Sequence, residues 1–300
     1  MLFARILMKK NKNDLLKKIK IFLYRKLYTL LNTSHRDAAV KLFWFKNTQN
    51  FGDSLNPILL QTLTGKPVKW VKFYTPEQHY ISIGSILETA TKDTVVWGSG
   101  FISEEKHCFE KPQKICAVRG PKSREILIND GIECPEIYGD PALLLPKIYS
   151  PMIQKKYKLG IIPHFIDKDN AWLQNIKQNN DVKFIDIQNP DIFEVIDEIL
   201  SCEKIASSSL HGIIVADAYH IPSLWIEFSD KVMGKGFKFL DYFLSVNRKD
   251  TKPLLINEKV TIEEVESHFY EYSIEINIDK LLEAAPFKIK QEFLPGRENT

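Results

Sequence analysis

The sequence lacks several features that identify large classes of protein. Its 300 residues include only four cysteines, which form no Cys-x-x-Cys pair and no disulfide-like spacing. We therefore expect free thiols in the reducing cytoplasm. A net charge of +3 is too small to predict a nucleic-acid partner. The seven histidines show no ligand spacing, so we predict no metal site.

Long apolar runs are also missing. None reaches the roughly 18 residues of a membrane span, and no signal peptide is recognisable. Residues 1–36 instead predict a basic amphipathic helix, with Lys17, Lys18 and Arg25 opposite an apolar stripe. The stripe consists of Leu15, Ile19, Phe22, Leu23, Leu27 and Leu30. Such a helix either lies on the anionic inner face of the plasma membrane or packs on the protein with its basic face in water.

A complete Gly-x-Gly-x-x-Gly motif is absent, but strand and helix patterns alternate from Val40 onward. A polar loop over 47–54 precedes a helix that we expect to begin near Asn56, with Pro57 in its first turn. A lysine- and proline-containing stretch, 147–158, predicts a boundary between domains 37–150 and 151–300. The alternation predicts an α/β fold of two doubly wound, Rossmann-like domains facing each other across a cleft.

The stretch from Ser207 to Gly212 is the most informative segment. It follows a short apolar run and precedes a helical pattern, so it reads as a strand end, a hydroxyl-rich turn and a helix start. Ser209 is the predicted N-cap, whose hydroxyl accepts a bond from a first-turn amide. Ser208, Ser209 and the amide of Leu210 would then form an anion site, with His211 beside it. A capped helix with an incidental histidine remains the alternative.

Other polar residues also stand at predicted strand ends. Arg119, fixed by the following Gly-Pro, is placed to hold a carboxylate or phosphate, or is an exposed arginine that pairs with a nearby acid. His164 and Glu227 end strands of the second half, and Asp53 lies in the polar loop. Each carboxylate could serve a substrate hydroxyl or make a structural hydrogen bond.

An ordered set of motifs across residues 40–245 resembles the polysaccharide pyruvyl transferase family. The set comprises Asn50-Phe51-Gly52-Asp53, Val118-Arg119-Gly120, Tyr138-Gly139-Asp140-Pro141-Ala142, Ile162-Pro163-His164, Ser207 to Gly212, Ala216-Asp217-Ala218-Tyr219, Ile221-Pro222-Ser223-Leu224-Trp225 and Lys235-Gly236-Phe237-Lys238-Phe239. The bacterial capsule and exopolysaccharide branch is the most similar.

The resemblance implies a glycosyltransferase-B-like architecture and a reaction. Members transfer the enolpyruvyl carbons of phosphoenolpyruvate to two hydroxyls of one sugar, making a cyclic pyruvate ketal, with phosphoenolpyruvate as co-substrate and no cofactor. It implies that His211 is the catalytic acid or base and that Arg119 holds the donor. Many members carry arginine where this chain has Ser209, so amides, serines, Lys235 and His164 would bind the donor instead.

On the acceptor side we predict Asn50, Asp53 and Glu227, and a sugar acceptor that is lipid-linked. Two other functions remain open. The chain could be a glycosyltransferase using a nucleotide sugar in the same kind of cleft. It could also be a non-catalytic subunit of glycan assembly, for which Ser209 is the sequence hint.

Overall fold

The structure is a computed structural model that describes residues 2–31, 38–46, 49–176 and 179–294. Of residues 2–15 and 31 only the backbone is described. Residues 47 and 48 of the predicted polar loop lie outside the described part. Within that part, no helix combines the length and apolarity needed to cross a bilayer.

Strands and helices alternate through most of the chain. The strands are β1 (Val40–Leu42), β2 (Val68–Trp70), β3 (His79–Ile81), β4 (Thr94–Trp97), β5 (Lys114–Ala117), β6 (Tyr157–Ile162), β7 (Val182–Phe184), β8 (Cys202–Ser207), β9 (Ser223–Glu227) and β10 (Leu254–Leu255). The helices are α1 (Leu2–Leu31), α2 (Phe51–Thr64), α3 (Pro121–Asn129), α4 (Leu145–Ile148), α5 (Ala171–Ile176), α6 (Ile192–Leu200), α7 (Leu210–Ala218), α8 (Phe237–Ser245), α9 (Ile262–Ser267) and α10 (Ile278–Glu283).

These strands form two parallel five-stranded sheets, which confirms the α/β class and is compatible with Rossmann-like domains. The first sheet has the order β2-β1-β3-β4-β5, and the second has the order β10-β9-β8-β6-β7. Read from its other edge, the second sheet repeats the order of the first. In each sheet the chain reverses its direction of winding at one point, between β1 and β3 and between β6 and β8. Ligands of open α/β sheets bind at the carboxyl ends of strands beside such points.

Helix α2 begins earlier than predicted. It starts at Phe51, and Pro57 lies inside it rather than in its first turn. Asn50 is the N-cap, and its side chain accepts a hydrogen bond from the amide of Gly52 at 3.1 Å. The side chain of Asn56 also donates to the carbonyl of Gly52 at 3.0 Å. These two side-chain bonds hold the extra turn, so the acceptor candidates Asn50 and Asp53 stand at a helix start.

Helix α1 packs on the protein through the face that carries Arg25. Arg25 donates to both carboxylate oxygens of Glu110, at 2.8 and 2.9 Å, and to the carbonyl of Tyr74 at 3.1 Å. Ile21 beside it is buried. The helix therefore packs on the body of the protein with Lys17 and Lys18 in water, as one of our two alternatives predicted, but Arg25 faces the protein and the apolar stripe is exposed. Membrane contact stays a prediction.

The carboxyl-terminal segment returns to the first sheet. The indole of Trp97 on β4 donates to the carbonyl of Leu281 on α10 at 2.9 Å, and the amide of Lys290 donates to the carbonyl of Leu63 at 2.8 Å. Leu281, Leu282 and Ile289 belong to an apolar cluster that contains residues of both halves of the chain. Sequence patterns placed this segment in the second domain without indicating that contact.

Candidate active site

A cavity of about 250 Å³ lies where the carboxyl ends of the two sheets face each other. Its wall includes residues that follow β1, β3, β6 and β8, the strands at which each sheet reverses its winding. The lining residues are Phe45, Asn50, Asp53, Gly84, Ser85, Ile86, Ile102, His164, Phe165, Ile166, Ser209, Leu210, His211, Lys231, Met233 and Lys238. The position is the one that parallel-sheet topology favours for a ligand.

The imidazole of His211 bridges the two halves at this cavity. It belongs to the first turn of α7 in the second half, and its side chain is 12% exposed. Across the cleft it lies directly against Gly52 of α2. A β-carbon placed on Gly52 would stand 2.1 Å from the Cε1 atom of His211. Glycine at position 52 is thus what allows the ring to reach the cavity wall.

Asp140 stands behind His211 and was not among the predicted site residues. It follows β5, is fully buried, and uses its Oδ1 atom to accept a hydrogen bond from the amide of Ala142 at 3.0 Å. Its Oδ2 atom lies 3.8 Å from Nε2 of His211. Neither of these two buried atoms has a hydrogen-bond partner in the described structure. A buried carboxylate in this position is suited to orienting an imidazole ring.

The serine-rich turn is held by its first two serines. Ser207 accepts a hydrogen bond from the amide of Ser209 at 3.0 Å, and Ser208 accepts one from the amide of His164 at 2.7 Å. The N-cap position of Ser209 is confirmed, but the expected bond from its hydroxyl to a first-turn amide is absent from the described contacts. The hydroxyl of Ser209 is therefore available to a ligand in the cavity, because Ser207 and Ser208 already fix the turn.

The start of α7 presents backbone donors to the same cavity. The amides of Leu210 and His211 have no acceptor among the hydrogen bonds of the described residues, as is usual for the first turn of a helix. Both residues line the cavity together with the free hydroxyl of Ser209. This arrangement suits an anion.

Lys238 contributes a cation that the sequence-based site did not include. It stands in the first turn of α8, lines the cavity, and has no carboxylate within ion-pair distance in the described part of the chain. Burial and the nearby Arg119 guanidinium lower its pKa to about 8, against the opposing effect of Glu227. A cation without a paired anion at this position is available to a negatively charged ligand.

His164 differs from His211 in its chemistry. Burial and the charge of Lys238 lower its pKa to about 4, so the ring is neutral near pH 7. Its Nδ1 atom accepts a weak hydrogen bond from the amide of Ile166 at 3.4 Å, which leaves the hydrogen on Nε2. His164 is therefore suited to donate a hydrogen bond to a ligand, and poorly suited to deliver a proton.

Asn50 and Asp53 lie on the opposite wall of the cavity, at the start of α2. Burial raises the pKa of Asp53 to about 6, although the amide of Phe45 and the proximity of His211 act against that rise. The Phe45 amide donates to Oδ1 of Asp53 at 3.2 Å, and the second carboxylate oxygen remains for other partners. At neutral pH the group is mostly ionised, as a base or an orienting acceptor for a hydroxyl requires.

Arg119 lies behind the wall rather than on it. Its guanidinium is fully buried, forms an ion pair with Asp241 of α8 at 2.9 Å, and donates to the carbonyl of Phe101 at 2.6 Å. Its Nη1 atom donates to Oγ of Ser85, also at 2.6 Å, and Ser85 does line the cavity. Arg119 thus joins the two halves and reaches the cavity through Ser85. Its assignment to the donor stays a prediction.

Two further predicted residues lie outside this wall. Lys235 lines a neighbouring cavity of about 390 Å³, which shares Met233 with the first. Glu227 ends β9, and burial together with Asp167 and Asp230 raises its pKa. The structure brings together Asn50, Asp53, His164, Ser209, Leu210 and His211. Asp140 and Lys238 were missed, although both belong to motifs that the sequence comparison had singled out.

Comparison with known proteins gives a consistent result. A family model described as polysaccharide pyruvyl transferase matches residues 13–230. The chain is similar to the uncharacterized protein L143 of Acanthamoeba polyphaga mimivirus, with 32% identity over 219 residues, which cover 70% of this chain and 75% of that protein. It is also similar to the succinoglycan biosynthesis protein ExoV of Rhizobium meliloti, with 28% identity over 210 residues. That match covers 67% of this chain and 62% of ExoV, less than two thirds of its length.

Proposed function

Because the chain belongs to the polysaccharide pyruvyl transferase family, we propose that it transfers the pyruvyl group of phosphoenolpyruvate to two hydroxyls of one sugar in a glycan precursor. The product is a cyclic pyruvate ketal, and phosphate is released. Family membership supports a pyruvyl transferase role in polysaccharide biosynthesis. The identity of the donor, the ketal product and the cytoplasmic location go beyond family membership and are part of our proposal.

The observation that carries the proposal is the placement of His211 at the cavity shared by both sheets. On one side stand the free amides of α7, the hydroxyl of Ser209 and the ammonium of Lys238. These donors suit the carboxylate and phosphate of phosphoenolpyruvate. On the other side stand Asn50 and the ionised Asp53, which suit the hydroxyls of a sugar. The cavity therefore has one wall for an anionic donor and one for a neutral polyol.

In the proposed reaction, His211 delivers a proton to the methylene carbon of phosphoenolpyruvate while the first sugar hydroxyl adds to C2. The hydroxyl proton passes to a base, for which Asp53 is the group on the acceptor wall. The second hydroxyl then attacks C2, the bond from C2 to the phosphate oxygen breaks, and phosphate leaves with the proton of that hydroxyl. Asp140 keeps the His211 ring oriented throughout.

The remaining predicted residues take supporting positions in this proposal. Ser208 fixes the donor turn through the amide of His164, and His164 offers its Nε2 hydrogen to the donor. Lys235, in the adjoining cavity, and Glu227, beside Lys238, contact the outer parts of the substrates. Two sheets whose carboxyl ends face one cavity support the finer proposal of a glycosyltransferase-B-like architecture.

The proposal is tested by incubating the protein with phosphoenolpyruvate and glycan precursors of defined sugar composition. Phosphate release and the ketal methyl resonance in the proton NMR spectrum are measured together. We expect both to appear with phosphoenolpyruvate, and thermal protection by phosphoenolpyruvate without an acceptor. Protection by a nucleotide sugar alone, with sugar transfer, would identify a glycosyltransferase. Tight donor binding without turnover on any acceptor would identify a non-catalytic assembly subunit.

A further inference from the structure

The outward face of α1 carries a continuous apolar stripe. Leu16, Ile19, Leu23, Leu27 and Leu30 recur at intervals of three and four residues, and their side chains are 45–76% exposed. Phe22 beside them is 56% exposed. Residues spaced in this way share one side of a helix. Isolated exposed leucines are ordinary on protein surfaces, but a row of six large apolar side chains marks an interaction site.

This stripe is exposed because the opposite face of α1 is already occupied. Tyr24 stacks edge-on against Tyr74 at 5.1 Å, and Ile21 is buried. The Lys17 ammonium lies 5.6 Å from the ring centre of Phe73, and Arg25 is paired with Glu110. These contacts fix the rotation of the helix on the body of the protein. The apolar residues of the stripe consequently remain exposed in the described structure.

Exposed lysines border the stripe on both sides. Lys20 and Lys26 flank it around the helix circumference, with Lys18 beyond Phe22, and all three side chains are exposed. No acidic residue occurs between Leu15 and Leu31, and the preceding turns add Lys9, Lys10 and Lys12 to the sequence. A row of apolar side chains bordered by lysines suits the interface of an anionic bilayer. It disfavours a second copy of α1, because pairing two such helices would bring like charges together.

We propose that α1 docks the protein onto an anionic lipid surface, with the stripe from Leu16 to Leu30 inserted among the acyl chains and the flanking lysines at the headgroups. A basic amphipathic helix on a protein surface is usually expected to pack its apolar face on the protein and to turn its cations to water. In α1 the face with Arg25 contacts the protein instead, and the apolar stripe faces outward. Arg25 meets Glu110 and Asp93, which precede β5 and β4. These contacts lie at the amino-end edge of the first parallel sheet, whose opposite, carboxyl-end edge faces the cavity, so the bound surface leaves the cavity open.

The test uses the full chain and sedimentation with vesicles, and it requires no activity. We expect the protein to bind vesicles of phosphatidylcholine with about one third phosphatidylglycerol, and to bind pure phosphatidylcholine at least about tenfold more weakly. The double variant Leu23→Glu/Leu27→Glu should lose at least about tenfold in binding to the anionic vesicles. The triple variant Lys18→Gln/Lys20→Gln/Lys26→Gln should lose most of the preference for anionic lipid, because each cation contributes about fivefold.

Matched controls separate insertion from added charge. Met152 and Leu255 are also exposed apolar residues, 101% and 64%, but they lie outside α1. The variant Met152→Glu/Leu255→Glu adds the same charge and should bind vesicles as the unaltered protein does. Equal vesicle binding by the two glutamate variants would overturn the proposal. So would a dimer of the unaltered protein in sedimentation velocity that becomes monomeric in the Leu23→Glu/Leu27→Glu variant without any vesicle binding, because the stripe would then join two copies.

Discussion

Asp140 and His211 approach each other from opposite halves of the molecule, with 3.8 Å between Oδ2 of the carboxylate and Nε2 of the ring. This distance is longer than a hydrogen bond, yet both atoms are buried and unpartnered in the described structure. A movement of less than about 1 Å between the halves would join them, and catalytic hydrogen bonds often tighten only when substrate is bound. We therefore expect the pair to close in the donor complex.

The first prediction concerns this pair. Asp140→Asn keeps the oxygen that accepts from the Ala142 amide but removes the charge facing His211. We expect kcat to fall by at least about tenfold with little change in the KM for phosphoenolpyruvate, and the pH profile of kcat to shift. Thermal unfolding should be close to that of the unaltered protein. If kcat and its pH profile were unchanged, Asp140 would serve only to cap the turn at Ala142.

A second prediction concerns the proton that His211 delivers. Removing a general acid costs about 10²–10⁴ in rate, so His211→Gln should lose ketal formation by at least about a hundredfold while still binding phosphoenolpyruvate. In heavy water the unaltered enzyme should place deuterium in the ketal methyl group, which is read by mass spectrometry. His220→Gln, just beyond the carboxyl end of α7, is the matched control and should retain activity. Near-normal turnover of His211→Gln would mean that another group delivers the proton.

The sequence predicted this histidine because its signal is local. The segment from Ser207 to Gly212 contains a strand end, a hydroxyl-rich turn and a helix start, and the structure places all three as expected. The alternation of strands and helices is similarly local, so the α/β class followed from it. The short β2, which is only half-buried, left no comparable pattern and was missed.

Residues that meet across the cleft could not be found in this way. Asp140 and Lys238 acquire their roles from the packing of one half on the other, which periodicity within a segment does not report. Arg119 differs from Asp140 and Lys238, because its position at a strand end was predicted correctly. Its burial against Asp241 was not predicted, because that contact depends on α8 of the other half. A family motif marked each of these positions without indicating what the side chain touches.

The third prediction concerns Lys238 and has a pH signature. Lys238→Met keeps the length of the side chain but removes the cation, and phosphoenolpyruvate affinity by calorimetry should fall at least about tenfold. Because the pKa of Lys238 in the empty protein is about 8, the charged form that binds the donor declines above that pH. The affinity of the unaltered protein should therefore weaken as pH rises through 8, whereas the phosphate itself is already a dianion there.

Lys231→Met is the control for that experiment. Lys231 lines the same cavity but is exposed at its rim, so water screens its charge and the affinity should change by no more than about twofold. An equal loss of phosphoenolpyruvate affinity in both variants would indicate that the donor responds to the general positive potential of the cavity, and not to a specific contact with Lys238. An affinity that stays constant from pH 7 to 9 would contradict the assignment of Lys238.

The fourth prediction separates donor binding from structure at Arg119. Lysine keeps the charge but cannot bond Asp241, Phe101 and Ser85 together, so Arg119→Lys should lower the free energy of unfolding by about 2–4 kcal/mol. If Arg119 also serves the donor through Ser85, phosphoenolpyruvate affinity should fall while acceptor affinity barely changes. Ser85→Ala, which leaves the ion pair intact, should then reproduce the loss of affinity with little loss of stability. Donor affinity unaffected in both variants would assign Arg119 to structure alone.

The last prediction uses the raised pKa of Asp53. Burial lifts this pKa from its ordinary value of 3.8 to about 6, so the folded protein binds this proton more tightly than the unfolded chain does. Between pH 3.8 and about 6, ionisation of Asp53 therefore lowers the free energy of unfolding as pH rises. The total loss is up to about 3 kcal/mol once Asp53 is fully ionised. Asp53→Asn removes that cost while keeping an oxygen for the Phe45 amide.

We therefore expect chemical denaturation to show Asp53→Asn gaining stability over the unaltered protein as pH rises from 4 to 7, with no further gain above pH 7. The same variant should lose turnover, because the amide cannot take a proton from a sugar hydroxyl, and donor affinity should remain. Gain of stability together with loss of activity is expected where a buried charge is kept for function. A stability difference that did not depend on pH would show that Asp53 titrates as an ordinary carboxylate, and full activity of the variant would remove it from the acceptor wall.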